Sequence, residues 1–201
     1  FTQKTFTNTN ANESRRAQGR VFILKPHKTR WDYTNDDRKT VYNHVFTDQK
    51  NWIQYDPDSD IKTSGQLKAE DLHSIIRHIF EIGRIHRQVE VQECNNWSTC
   101  QCPSEAACEG IQAAGGSGKV SLLLTPKKQS AGTENKIIIV FDADSLLISR
   151  IILVAASKSS STTNNFALSN QKVLNKQEAN SALNDGQNNT DYISGIFTLK
   201  K

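Results

Sequence analysis

Gly19-Arg20-Val21-Phe22-Ile23-Leu24-Lys25-Pro26, followed after a short break by Thr29-Arg30-Trp31-Asp32-Tyr33-Thr34, is the stretch whose reading decides the fold. Its first half is rich in β-branched and large apolar residues and reads as a strand, Gly19–Lys25. Pro26-His27-Lys28 breaks it. The second half alternates, with Trp31 and Tyr33 on one face and Arg30 and Asp32 on the other, which is the period of a strand.

The neighbouring segments continue the pattern. Upstream, Phe1–Thr9 is Thr-rich and extended, and Asn10–Gln18 is polar and reads as a hairpin loop. Downstream, Asn35-Asp36-Asp37 is a turn, and Thr40–Phe46 and Asn51–Tyr55 are strands joined at Asp48-Gln49-Lys50. Asp56-Pro57-Asp58-Ser59-Asp60 carries turn chemistry. It lacks the glycine and distant glutamate of an EF-hand loop, so a turn is expected there and not a calcium site.

Lys68–Ile85 reads as the one helix, because Leu72, Ile75, Ile76, Ile79 and Phe80 form a single apolar stripe. Glu70 and Asp71 fall in its first turn, where the helix dipole favours anions. His73, His78 and His86 are spaced five and eight apart, not four, so no metal pair is expected. Beyond it follow a short strand, Gln88–Gln92, a cysteine-rich loop and a flexible Gly110–Gly118 stretch that lacks phosphate-loop spacing. Four more strands are expected at Lys119–Thr125, Lys136–Phe141, Leu147–Ala155 and Asn165–Leu174. The connectors are Pro126–Asn135, Asp142–Leu146 and Ala156–Asn164. Asn175–Asp191 is polar and expected to be mobile, with Ile193–Leu199 returning as a last strand.

Many consecutive strands with one amphipathic helix predict a mainly β, α+β fold: an antiparallel sheet, curved or partly closed, with the helix on its concave face. No internal repeat or linker interrupts it, so the expectation is one domain over 1–201, with a Cys-rich insertion at 94–118 and a polar C-terminal segment at 175–201.

Composition narrows the function. The chain has 201 residues, 36% hydrophobic and 23% charged, with a net charge of +4. Its mean hydropathy is −0.60 and its pI about 8.9. The longest apolar runs, Ile137–Phe141 and Ile151–Ala156, are strand-sized, which excludes a membrane-spanning helix. Basic residues cluster only briefly, at Arg15-Arg16 and Lys127-Lys128, so no nucleic-acid partner is expected. The chain holds no methionine and begins at Phe1 without a leader pattern, and is expected to be a processed form.

Cys94, Cys100, Cys102 and Cys108 are clustered in a C-x5-C-x-C-x5-C pattern. It lacks the C-x2-4-C pairs usual at zinc. Two local disulfides in an oxidising compartment are expected, against free thiols or a metal, with the pairing open. The loop itself is expected to be dispensable for the sheet, whose flanking strands have their own apolar patterns. No nucleophile motif, metal motif or P-loop is present, so neither an enzyme nor a cofactor is expected.

The order of several pieces is familiar. Phe1-Thr2-Gln3-Lys4 precedes Gly19–Pro26, then Arg30-Trp31-Asp32-Tyr33, then Trp52-Ile53-Gln54-Tyr55-Asp56-Pro57, then Leu122-Leu123-Leu124-Thr125-Pro126-Lys127. From Phe1 to about Leu174 the chain resembles the periplasmic outer-membrane lipoprotein carrier family, LolA. The resemblance implies an incomplete antiparallel barrel closed by a helical lid. It also implies a periplasmic role in shielding acylated lipoprotein or lipid, with an inner-membrane release complex and an outer-membrane acceptor as partners. A monomer is expected. On this resemblance Val21, Ile23, Trp31, Tyr33 and Trp52 line the cavity, Lys25 stands at its mouth, and Leu72, Ile76, Ile79 and Phe80 face it from the helix. Three departures are expected on this resemblance: Lys25 stands for the family's usual arginine, the cysteine loop is an insertion, and the amphipathic helix that opens the family's pattern is either absent or removed. The rival readings are a lipid sensor and a disulfide-stapled adhesion or interaction module.

Overall fold

The computed structural model describes residues 1–7, 12–24, 28–37, 40–48, 50–66, 89–111, 118–127, 129 and 131–172. Eleven strands form among them: β1 (Thr2–Thr7), β2 (Glu13–Leu24), β3 (Lys28–Thr34), β4 (Val41–Thr47), β5 (Asn51–Asp56), β6 (Ile61–Gln66), β7 (Val89–Cys94), β8 (Lys119–Pro126), β9 (Thr133–Asp142), β10 (Ile148–Ser157) and β11 (Ser161–Ala167). They make one sheet, ordered β6-β5-β4-β3-β2-β1-β11-β10-β9-β8-β7, with every neighbouring pair antiparallel. Two meanders therefore meet where β1 pairs β11, and the sheet stays open, with β6 and β7 as its edges.

The strand-rich reading of the sequence holds, with local corrections. Asn10–Gln18 is not all loop, because β2 begins at Glu13. Its first half is polar because it lies towards solvent, with Arg16 bound to Glu13 at 2.8 Å and Ser14 to Thr7 at 2.9 Å. β6, in a polar stretch, carried no apolar signal, and all but Gly65 of its residues are exposed. The last described strand begins at Ser161, not Asn165, and ends at Ala167. Its Asn164 and Asn165 side chains are engaged in hydrogen bonds, which a pattern of apolar residues does not reveal. Among the described residues there is no helix. The expected helix Lys68–Ile85 and final strand Ile193–Leu199 lie outside the described residues.

Both faces of the sheet carry apolar clusters. Trp31, Val89, Leu124, Ile137, Ile139, Ile151, Leu153 and Phe166 are buried together on one face. Leu123, Ile138, Ile152 and Val154 are buried on the other, under the four cysteines. The alternation of strand side chains separates the two sets. The half containing β8–β10 is thus apolar on both sides, which explains its continuous Ile137–Phe141 run.

Candidate functional site

The face that carries Trp31 is concave. Trp31 on β3 and Phe166 on β11 are three strand positions apart, about 14 Å on a flat sheet. Their ring centroids lie only 5.3 Å apart, so the sheet bends towards this side. Register shifts in the β1–β2, β3–β4 and β9–β10 pairs supply points of extra twist.

Phe1 fills the bend. Its ring meets Trp31 edge-on at 5.1 Å and Tyr33 at 5.3 Å, and lies 6.0 Å from Phe166. Such edge-to-face contacts add to plain area burial. Gly19 makes room for them: a Cβ there would come within 1.8 Å of the Asp32 carbonyl oxygen and 3.1 Å of the Phe1 ring. The Gly19 and Phe1 backbones also exchange hydrogen bonds of 2.6 and 3.0 Å. Burial pushes the Tyr33 phenol up to about 12, so it stays a neutral half-apolar wall.

The residues expected in the cavity fall into two groups. Register places Val21, Ile23, Trp31, Tyr33 and Trp52 on this face: Val21 opposes Trp31, Ile23 opposes Thr29, Thr29 opposes Thr47, and Thr47 opposes Trp52. Val21 and Tyr33 pack against the buried cluster. Ile23, 38% exposed, and Trp52, half-buried over Gly65, lie towards the end of β2 that precedes Lys25. Lys25, Leu72, Ile76, Ile79 and Phe80 lie outside the described residues.

Sequence reasoning missed Phe1, Ile139, Ile151 and Phe166 on this face. The Ile-rich strands gave no alternation to read, because their other face is buried too. It also missed a polar strip between the two apolar halves. On β1 and β11, Gln3 Nε2 donates to Asn164 Oδ1 at 2.9 Å, and the Thr5 hydroxyl donates to the same oxygen at 2.9 Å.

The outer face holds charge in one half and the cysteines in the other. Asp32 is fully buried. Its Oδ1 accepts from Arg30 Nε and from His44 Nδ1, both at 2.7 Å. Burial alone would push this carboxyl up, but the bonds from His44 and Arg30 outweigh it and hold the group below the usual carboxylate range. Arg30 also lies over the Phe22 and Phe46 rings at 5.6 and 5.7 Å. In the other half, disulfides Cys94–Cys100 and Cys102–Cys108 fold the loop onto Leu123, Ile138, Ile152 and Val154. Asn165 Nδ2 donates to the Ala107 and Glu109 carbonyls, both at 3.1 Å, and Lys4 pairs with Glu109. Gly110, at φ 91°, lets Arg150 pass where a Cβ would sit 2.0 Å from its Nε. The loop therefore packs as a cover on the outer face of this half of the sheet. Among the described residues no cluster of three or more His, Cys, Asp or Glu side chains is placed to hold a metal.

The concave face, its F-x-Q entry strand and its Arg30-Trp31 strand all lie in the N-terminal half or meet it. The family profile described as outer membrane lipoprotein carrier protein LolA matches residues 1–102. The chain belongs to the LolA family. The match takes in the Phe1-Thr2-Gln3, Gly19–Pro26, Arg30–Tyr33 and Trp52–Pro57 pieces, while Leu122–Lys127 lies beyond it. No curated protein matches the chain. The LolA family is a family of periplasmic lipoprotein carriers, and membership suggests a lipoprotein-carrier role.

Proposed function

We propose that this protein is a periplasmic carrier whose concave face shelters the acyl chains of lipoproteins or lipids on their way to the outer membrane. The observation that carries the reading is a bent sheet whose concave face holds a large apolar cluster, from Val21 and Trp31 to Ile139 and Leu124. Each CH₂ left in water costs about 0.8 kcal/mol, so a soluble carrier needs such a surface for every chain it holds. Val21, Ile23, Trp31, Tyr33 and Trp52 are the wall in this reading, and Lys25 offers charge at the mouth. Nothing in the role calls for covalent chemistry.

The chain between the two sheet edges supports a lid. Gln66 ends β6 and Val89 begins β7, so 22 residues join opposite edges of an 11-stranded sheet. On a flat sheet those edges lie about 48 Å apart. An 18-residue helix is about 27 Å long. A helix at Lys68–Ile85 suits a sheet curled towards the Trp31 face, and Leu72, Ile76, Ile79 and Phe80 then supply its apolar stripe. Cargo would pass from an inner-membrane release complex to an outer-membrane acceptor, with the carrier monomeric.

Gentle purification, organic extraction and mass spectrometry test this. Stoichiometric acylated lipid or lipopeptide is the expected result. A lipid-free protein that also fails to keep an acylated peptide in solution would overturn it. One observation favours a second reading, an interaction module: Trp97, 41% exposed, stands in an open groove of about 690 Å³ with Lys4, Phe6, Glu13 and Glu109 on the outer face.

A further inference from the structure

An open sheet leaves two strands half paired, here β6 and β7. A bare edge offers a row of N–H and C=O groups to another strand, and proteins blunt it with lysine, proline, a bulge or a cover. β7 has none of these. Val89-Glu90-Val91-Gln92-Glu93-Cys94 contains no lysine or proline, and its register against β8 runs from Val89–Pro126 to Cys94–Ser121 without a shift. Glu90, Val91, Gln92 and Glu93 are all exposed. Among the described residues the β7 backbone bonds only to β8. The step in burial is abrupt: Leu124 is buried, while Val91 opposite it is 47% exposed. The edge also carries charge of one sign. Val89 lies in the Trp31 cluster, so alternation puts Val91 and Glu93 on that face and Glu90 and Gln92 on the other. Among the described residues neither carboxylate forms an ion pair. The opposite edge, β6, bears Lys62 and no carboxylate.

Two carboxylates disfavour a second β7 at this edge and favour a strand of opposite charge. We infer that β7 is a docking strand, which takes an extended cationic segment of a partner protein by strand addition. In that mode backbone bonds give affinity, and side chains at set positions give specificity. The carboxylate spacing sets the pattern. In an antiparallel partner the residues opposite Glu93, Gln92, Val91 and Glu90 follow one another, so they read basic, any, apolar, basic. The added strand lies in the plane of the sheet and occupies neither face, so the inference stands apart from the carrier reading.

A short acetylated peptide, Thr-Val-Thr-Lys-Thr-Val-Lys-Thr-Val-Thr, carries that pattern, and the same peptide with both lysines replaced by glutamate is its control. Fluorescence anisotropy of each labelled peptide reads binding, and amide hydrogen exchange reads where it occurs. The lysine peptide should bind, protect amides within Val89–Cys94 and weaken as salt is added. The glutamate peptide should bind about tenfold more weakly. Glu90→Gln with Glu93→Gln removes both charges at exposed positions, where the fold does not depend on them, and should weaken the lysine peptide roughly three- to tenfold. No binding of the lysine peptide, equal binding of the two peptides, an affinity unchanged in the double variant, or protection confined to residues outside β7 would overturn the inference. So would self-association of the protein that the double variant abolishes, which would give the edge to a second copy.

Discussion

Asp32 shows how much of this protein's stability rests on residues that never touch the concave face. It sits between Arg20 and His44 in a cross-strand row, fully buried, while Arg30 from the same strand reaches back to its Oδ1. A buried pair need not stabilise relative to an apolar pair, but removing one partner strands the other charge. Asp32→Asn should cost about 3–5 kcal/mol at pH 7, read as a lower urea midpoint. The pH dependence follows from the depressed carboxyl. Its contribution is complete above the unfolded value of about 4 and is lost as pH falls below it. The gap between wild type and Asp32→Asn should therefore narrow from pH 5 to pH 3, and a constant gap would contradict the assignment. The sequence showed Arg30 and Asp32 on the face opposite Trp31. That they are buried depends on His44 arriving from another strand, which no local pattern contains.

At the scale of elements, the cysteine loop and the β6–β7 connection cover different faces. The loop shields Leu123, Ile138, Ile152 and Val154, each worth about 1.5–3 kcal/mol when fully buried. Each bridge closes a six-residue separation, for which chain entropy alone suggests about 2 kcal/mol. Reduction should lower the melting temperature of the whole sheet in one cooperative step. A separate early loss confined to the loop would show that it is the dispensable insertion its sequence suggested. The number and clustering of the cysteines predicted two disulfides, and the structure adds which pairs form and what they cover. The other element is tested by Ile79→Glu, which puts a charge on the apolar stripe expected to face the sheet. Binding of an acylated peptide should fall at least tenfold while the far-ultraviolet circular dichroism of the sheet is unchanged. Global unfolding would place Ile79 in an ordinary core, and unchanged binding would remove the helix from the site.

For the whole molecule, the sequence carried the strands with a strong apolar or alternating signature, Gly19–Lys25 and Thr29–Thr34 above all, because each is read locally. It did not carry the meeting of β1 with β11, which brings residues about 160 apart into register and creates both the bend and the polar strip at Gln3 and Asn164. It saw half of the concave wall, Val21, Trp31 and Tyr33, and not the half built by Ile139, Ile151 and Phe166. The cover on the outer face made those strands apolar throughout, and a continuous run has no face to read.

The central claim is that acyl chains lie on the concave face, and the three tryptophans divide the molecule for the measurement. Trp31 and Trp52 lie on the concave side, and Trp97 lies outside. Tryptophan fluorescence is followed during titration with a peptide bearing a brominated acyl chain, which quenches only on close approach. The account predicts saturable quenching in Trp97→Phe, where only the concave tryptophans remain, and none in Trp31→Phe/Trp52→Phe, where only Trp97 remains. Quenching of Trp97 alone, or of neither set, would contradict it.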